Sequence, residues 1–404
     1  MEPSGQPLFE GLKVIDAASF LAGPGAATIL GDFGADVTKI EPPGGDGYRK
    51  LVGPREIDHH WLLTSRNKRS LCIDLKQDAG QRLLQDLAAA ADVLIVNFRP
   101  EQLERFGLTY EGLARRNPRL VFAQLSGYGS QGPDADRRAL DSTAWWARSG
   151  MMEVVRDGPA APVLGVPGFG DHSTAMAVYA AILTALYKRE RTGRGSAVET
   201  SLIANGAWAN GMLLQGIWAD HDLAEIRREQ GWQNPFTAVY PSADNRHVIF
   251  AITDPVREWL PLLDALDARA LAADERFTDF RSQMRNRLAL IDALAQHTVR
   301  LPLQDLARRL EAQEVTHAVV AKTREVADDP QLRANGIVVP TGSDLPHYQY
   351  TVANPLTISG EAQRQPTLAP AVGEQSRAVL EDYGFSPDRV ATLIADGVIR
   401  ESTS

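Results

Sequence analysis

The feature that most constrains this chain is the alternation of short apolar runs with helical stretches over its first 130 residues. Residues 12–17 (LKVIDA), 35–41 (ADVTKIE), 70–75 (SLCIDL), 92–98 (DVLIVNF) and 120–129 (LVFAQLSGYG) read as strands. They are nearly continuous in apolar character, as strands covered on both faces must be. GPGAATILGDFG, AGQRLLQDLAAAA and a helix opening in NFRPEQLERFG lie between them. Parallel neighbours need crossover connections of this kind, so the pattern predicts an α/β fold with helices on both sides of a parallel sheet. Ligands of such sheets bind beyond the carboxyl ends of the strands. That places residues 16–20, 97–99 and 126–129 on one rim.

The first turn nearly spells a dinucleotide fingerprint, Gly23-Pro24-Gly25-Ala26-Ala27-Thr28, with Thr28 in place of the third glycine. Glu41 ends the next strand, where a ribose-binding acid would stand. Pro24 equally suits the first turn of a helix, where its missing N–H costs nothing. Residues 42–69 form a long polar connection punctuated by Gly and Pro, a kind of segment that usually carries function. The large domain is expected to span residues 1–220. Beyond it the chain turns polar and linker-like (221–235), then reads as two strands joined at Asp244-Asn245 and amphipathic helices to about residue 312. This predicts a smaller α+β domain over 221–329. Residues 330–404 hold short strands, a Pro-rich link and a helical end.

The stretch 168–195 (GFGDHSTAMAVYAAILTALYKRERTGRG) predicts a Gly-rich turn and a long apolar helix, closed by basic residues that suit its C-terminal dipole and by Gly193. Asp171 stands at its start, in the expected N-cap position. One reading makes Asp171 a cap only. The other makes it a carboxylate kept ionised by the helix N-terminus, beside glycines that admit a substrate, and so a nucleophile. Upstream, 141–152 (DSTAWWARSGMM) predicts a helix whose Trp145 and Trp146 serve as core, subunit interface or pocket wall.

With 404 residues the chain can build two or three domains. Its net charge of −9 argues against nucleic-acid binding. Basic residues outnumber acidic ones between 61 and 140, either as a solvated helix surface or as a site for a phosphorylated ligand. No apolar run is long enough for a bilayer, and the opening residues lack a signal-peptide pattern. The single cysteine, Cys72, excludes an intrachain disulfide and a Cys-cluster metal site, and its apolar run predicts a buried, inert thiol. These features predict a cytoplasmic protein that does not enter membranes.

A set of motifs in fixed order resembles one family. They are AGP at 22–24, LGDFGADVTKIEPPGGD at 30–46, NKRSLCIDLK at 67–76, ADVLIVNFRP at 91–100, GD at 170–171, YKRERTGRG at 187–195, NPF with YPSADN at 234–245, and NPLTISG at 354–360. The chain is similar to class III CoA-transferases, which include formyl-CoA transferase, carnitine CoA-transferase and the α-methylacyl-CoA racemases. The resemblance implies a large Rossmann-like domain to which residues 330–404 return, and an interlocked homodimer. It implies Asp171 as the nucleophile, forming an aspartyl anhydride and then an aspartyl-CoA thioester. It assigns CoA contacts to Ile73, Lys76, Asn97, Phe98 and Arg105. No tightly bound cofactor or metal is implied; coenzyme A enters as substrate, with an acyl-CoA donor and a carboxylic-acid acceptor.

The departures from the family are specific. Leu21 and Pro42 stand where formyl-CoA transferase has glutamine and arginine, and the region around Gly231 has no glycine run. Leu140-Asp141 replaces the histidine of the racemases. A 2-methylacyl-CoA racemase and a non-catalytic acyl-CoA-binding protein are the alternative functions.

Overall fold

The structure is a computed structural model describing residues 6–51, 53, 58–156, 160–230 and 234–402, the side chains of residues 227 and 230 excepted. Gly231 lies outside the described residues. The chain divides into two compact units. One comprises Met1–Val155, Pro162–Ala219 and Gln331–Ser404, the other Arg156–Ala161 and Asp220–Pro330.

The first unit is built on six parallel strands: β1 (Lys13–Ala17), β2 (Asp36–Glu41), β3 (Lys68–Ile73), β4 (Val93–Val96), β5 (Val121–Ser126) and β6 (Ser196–Ser201). Their order is β3-β2-β1-β4-β5-β6, so the direction of winding reverses between β1 and β4. In doubly wound sheets the ligand crevice opens at that reversal. A seventh strand, Ile399–Arg400, pairs antiparallel along the outer edge of β3. Successive residues point to opposite faces. Ile15, Ala17, Ile40, Leu71 and Ile73 therefore face one core with the helix Asp78–Ala89, and the same core takes in Val379, Leu380, Val390 and Leu393 of the C-terminal segment. Val14, Val37, Val93 and Val121 face another, under the helices Ala22–Asp32 and Phe169–Thr192.

The near-fingerprint glycines lie inside the fully buried helix Ala22–Asp32. A methyl group on Gly25 would stand 3.0 Å from Ala175 Cβ, so this glycine lets two helices approach. Glu41 is fully buried and bound by Arg49 Nε at 2.7 Å, Arg49 Nη2 at 2.8 Å and Ser70 Oγ at 2.7 Å. Its carboxylate is thus committed to Arg49 and Ser70, and the glycines of the dinucleotide pattern serve packing.

Charges are buried beneath the crevice. Lys68 Nζ donates to Asp16 Oδ2 at 2.8 Å and to the carbonyls of Pro24 and Thr64. Burial works against the charge of Lys39, but Asp16, Asp46 and Glu41 hold its pKa above the ordinary value. Asp46 Oδ1 accepts from the amides of Phe20 at 3.3 Å and Tyr48 at 2.9 Å. The network thus holds Phe20 at φ 65°, a left-handed conformation unusual for an aromatic residue, just beyond β1.

Several local expectations change. Residues 42–69 contain a 3-10 turn, Gly47–Lys50, and a helix, His59–Ser65, capped by Asp58. The single helix expected over 141–152 is a π-helix, Asp141–Ala147, and a short helix, Met151–Val154, separated at Gly150 with φ 85°. The apolar stretch 203–219, which by itself reads as one helix, is divided at Asn210 into Leu202–Ala209 and Gly211–Trp218, and the Asn210 side chain donates to Ser149 O at 3.0 Å. The expected linker at 221–235 holds a helix, Leu223–Gln230, because Asp222 caps it through Glu225 N and Glu225 pairs with Arg228.

In the second unit, Val239–Pro241 and His247–Phe250 form an antiparallel pair, joined by a turn with Asn245 at φ 55°. His317–Val319 adds a third strand. Tyr240, Phe250, Leu262, Leu294 and Leu306 fill its core.

Candidate active site

Asp171 is the third residue of the helix Phe169–Thr192, not its cap. The cap position belongs to Gly168, whose φ of 84° suits glycine and where a Cβ would stand 3.0 Å from the Leu21 side chain. The amide of the cap residue meets a different carboxylate. Asp141 Oδ2 accepts from Gly168 N at 2.8 Å. Burial raises the Asp141 pKa, against the pull of the Gly168, Gly170, Trp146 and Asp171 N–H groups. A methyl group on Gly170 would collide with the Asp141 carboxylate and the Trp145 ring, so this glycine makes room for Asp141 and not for substrate.

Asp171 receives the burial without those hydrogen bonds. Burial, and then the charge of Asp141, push its pKa up to about 7. The expectation of a fully ionised carboxylate at a helix cap is therefore corrected: Asp171 sits inside the first turn, and burial and the Asp141 charge oppose its ionisation. Asp171 is poised to gain and lose a proton near neutrality. Tyr48 is buried close by; burial, followed by the charges of Asp171, Asp58 and Asp46, pushes its hydroxyl up to about 12. It remains a proton donor.

Asp171 lines a cavity of about 780 Å³ beyond the carboxyl ends of β1, β4 and β5. Ser19, Phe20, Asn97, Phe98, Arg99, Ser126 and Gly127 border it, which unites the three predicted rim segments. Asn97 uses both ends of its amide on the turn after β1. Its Nδ2 donates to Ser19 O at 2.9 Å, and its Oδ1 accepts from Ser19 N at 2.9 Å. It fixes the crevice where the winding reverses. A second cavity of about 790 Å³ shares Ser19 and Phe98 with the first. Ile73, Lys76 and Arg105 line it, with the Arg105 guanidinium 4.8 Å from the Phe106 ring.

The structure thus brings Asp171, Asn97 and Phe98 to the first cavity, and Ile73, Lys76, Phe98 and Arg105 to the second. Trp145 and Trp146 are 2% and 7% exposed and pack with Leu202, so they are core. His172, next to Asp171 in sequence, does not line the first cavity, whereas the exposed Leu140 does. Sequence reading missed Asp141, Tyr48, Arg138 and Arg400 as cavity or site residues. Asp141 carries no local signal, because its hydrogen-bond donor Gly168 lies 27 residues away. Among the described residues, no cluster of three or more His, Cys, Asp or Glu could hold a metal ion. No described helix is long and apolar enough to cross a membrane.

A family model described as CoA-transferase family III matches residues 9–376. The chain belongs to CoA-transferase family III. It is 32% identical to an acetyl-CoA:oxalate CoA-transferase of Acetobacter aceti, over 93% of this chain and 95% of the relative. It is 28% identical to an (R)-2-hydroxy-4-methylpentanoate CoA-transferase of Clostridioides difficile, over 97% of this chain and all of the relative. A CAIB/BAIF family protein from Brucella suis superposes with a TM-score of 0.83 at 27% identity, over 94% of this chain and the whole of that one. Family III membership makes the chain an enzyme that handles CoA thioesters.

Proposed function

We propose that this family III enzyme is a cytoplasmic, homodimeric acyl-CoA transferase that passes CoA from an acyl-CoA thioester to a carboxylic acid through Asp171. The observation that carries the reading is a carboxylate, without a hydrogen bond on its oxygens among the described residues, in the first of two adjoining cavities, both bordered by cations: Arg99, Arg137 and Arg138 in the first, Lys76, Arg105 and Arg400 in the second. An Asp171 oxygen attacks the thioester carbonyl carbon, the C–S bond breaks, and CoA leaves as thiolate. The product is a mixed anhydride on Asp171. The thiolate then attacks the Asp171 carbonyl carbon, the donor acid departs as carboxylate, and Asp171 is left as a CoA thioester. An acceptor carboxylate repeats the two steps in reverse order, releasing the new acyl-CoA and restoring Asp171. No proton is consumed overall, so an ionised Asp171 suffices.

Each tetrahedral oxyanion needs donors. With the Gly168 amide committed to Asp141, the supporting candidates are amides at the start of Ala22–Asp32, which has no side-chain cap and whose Leu21 and Ala22 border the cavity. The homodimer is supported by Tyr187, Trp208, Met212 and Trp218, which are 66–89% exposed on neighbouring helices of one unit. A single chain leaves that apolar surface uncovered.

Incubation with an acyl-CoA, hydroxylamine trapping and mass spectrometry should mark the peptide carrying Asp171. Modification at another residue, or full transfer by Asp171→Asn, would overturn the mechanism. Loss of transfer with retained CoA binding separates this reading from a non-catalytic binding protein.

A further inference from the structure

The second cavity is bordered on its outer side by Arg400, which no motif of the sequence singles out. The sheet register explains its position. Glu41 pairs with Cys72, and Cys72 with Arg400, so the three side chains stand in one row on one face. The row ends in the only member free to meet a ligand. Glu41 is buried against Arg49 and Ser70. Cys72 is fully buried, and burial pushes its thiol pKa up. Arg400 is exposed, whereas its neighbour Ile399 is 1% exposed and anchors the strand in the core. Ser376 Oγ donates to Arg400 O at 2.7 Å and fixes the backbone.

Lys76 and Arg105 border the same cavity, and none of these three cations has an ion-pair partner among the described residues. Three cations without ion-pair partners border one cavity whose lining also holds Asp74 and the already paired Glu41, an excess of positive charge that suits a multiply charged anion. Position narrows the anion further. Four strand spacings separate β4, which delivers Asn97 and Phe98, from the strand of Arg400, a span of about 19 Å. A thioester whose sulfur lies near Asp171 reaches that edge only with its nucleotide end.

We infer that Arg400 binds a phosphate group at the nucleotide end of acyl-CoA, so that the C-terminal strand completes the substrate site. This rests on reading the two cavities as an acyl-CoA site. Calorimetric titration of the full-length protein with CoA and 3′-dephospho-CoA tests it, together with turnover of an acyl-pantetheine that lacks every phosphate. Arg400→Gln should weaken CoA binding about tenfold, as loss of a charged hydrogen bond does, and Arg400→Lys should restore most of it. Acyl-pantetheine turnover should be unchanged. A loss confined to CoA assigns the 3′-phosphate, and an equal loss with 3′-dephospho-CoA assigns the diphosphate. If Lys76→Gln and Arg105→Gln weaken CoA binding while Arg400→Gln does not, the inference about Arg400 is overturned and the site stands. If Arg400→Gln slows acyl-pantetheine equally, it acts by distorting the fold, and the inference is again overturned. If none of the three variants affects CoA, the acyl-CoA reading itself fails.

Discussion

At the scale of single residues, the proposed chemistry rests on two neighbouring carboxylates at one helix start, Asp141 and Asp171. Asp141 accepts from the Gly168 amide, and Asp171 is raised to about 7 by burial and by the charge of Asp141. In the proposed mechanism the attacking form of Asp171 is the carboxylate, so kcat/KM of the free enzyme should rise with pH through about 7 and then level. Asp141→Asn removes the neighbouring charge and should move that rise to lower pH; an unmoved profile would remove Asp141 from the account. The same shift affects stability. A folded pKa above the unfolded value of about 3.8 means the folded state holds a proton that the unfolded state has lost, so stability falls as pH rises from 4 to 7. Asp171→Asn should therefore be inactive yet more stable than the parent at pH 8, by about 2–4 kcal/mol, and equal to it near pH 4. Urea unfolding at the two pH values measures this difference.

At the scale of elements, the returning C-terminal segment is held by a polar clasp at the end of Ala22–Asp32. The buried Asp32 accepts from Arg66 Nε at 3.0 Å and Nη2 at 2.8 Å, from Asn67 Nδ2 at 2.8 Å and from Asn354 Nδ2 at 3.0 Å. Asn67 and Thr367 exchange two further hydrogen bonds. Asp32→Ala leaves the Arg66 guanidinium buried without its partner, which typically costs about 3–5 kcal/mol. The expected outcome is a lower unfolding midpoint, with amide exchange rising first over residues 354–376. Uniform exchange across the chain would show that the clasp is not local. The motifs NKRS and NPLTISG were visible in the sequence as resemblance, but their joint role as a clasp was not. The partners lie about 300 residues apart, and no periodicity reports such a contact.

At the scale of the whole molecule, the exposed Trp208, Met212 and Trp218 predict that folding and association are coupled. The unfolding midpoint should rise with protein concentration, and Trp208→Ser with Met212→Ser should shift sedimentation toward monomer. A concentration-independent midpoint would argue for a monomer. If the two chains are interlinked, tagged and untagged dimers mixed under native conditions should exchange only over hours, because release needs partial unfolding.

The sequence alone determined the parallel sheet, the rim of the crevice, the place of Asp171 at a helix start and membership of the family. All of these follow from short-range signals: apolar runs, helix punctuation and motifs in fixed order. Tertiary structure decided the rest. It turned the glycine near-fingerprint into helix packing, made Trp145 and Trp146 core, gave the Gly168 amide to Asp141, and brought Arg400 into line with Glu41 and Cys72. Each of these depends on register and on docking between distant segments. There the energy lies in burial and in satisfied polar groups, and local propensity leaves both undetermined.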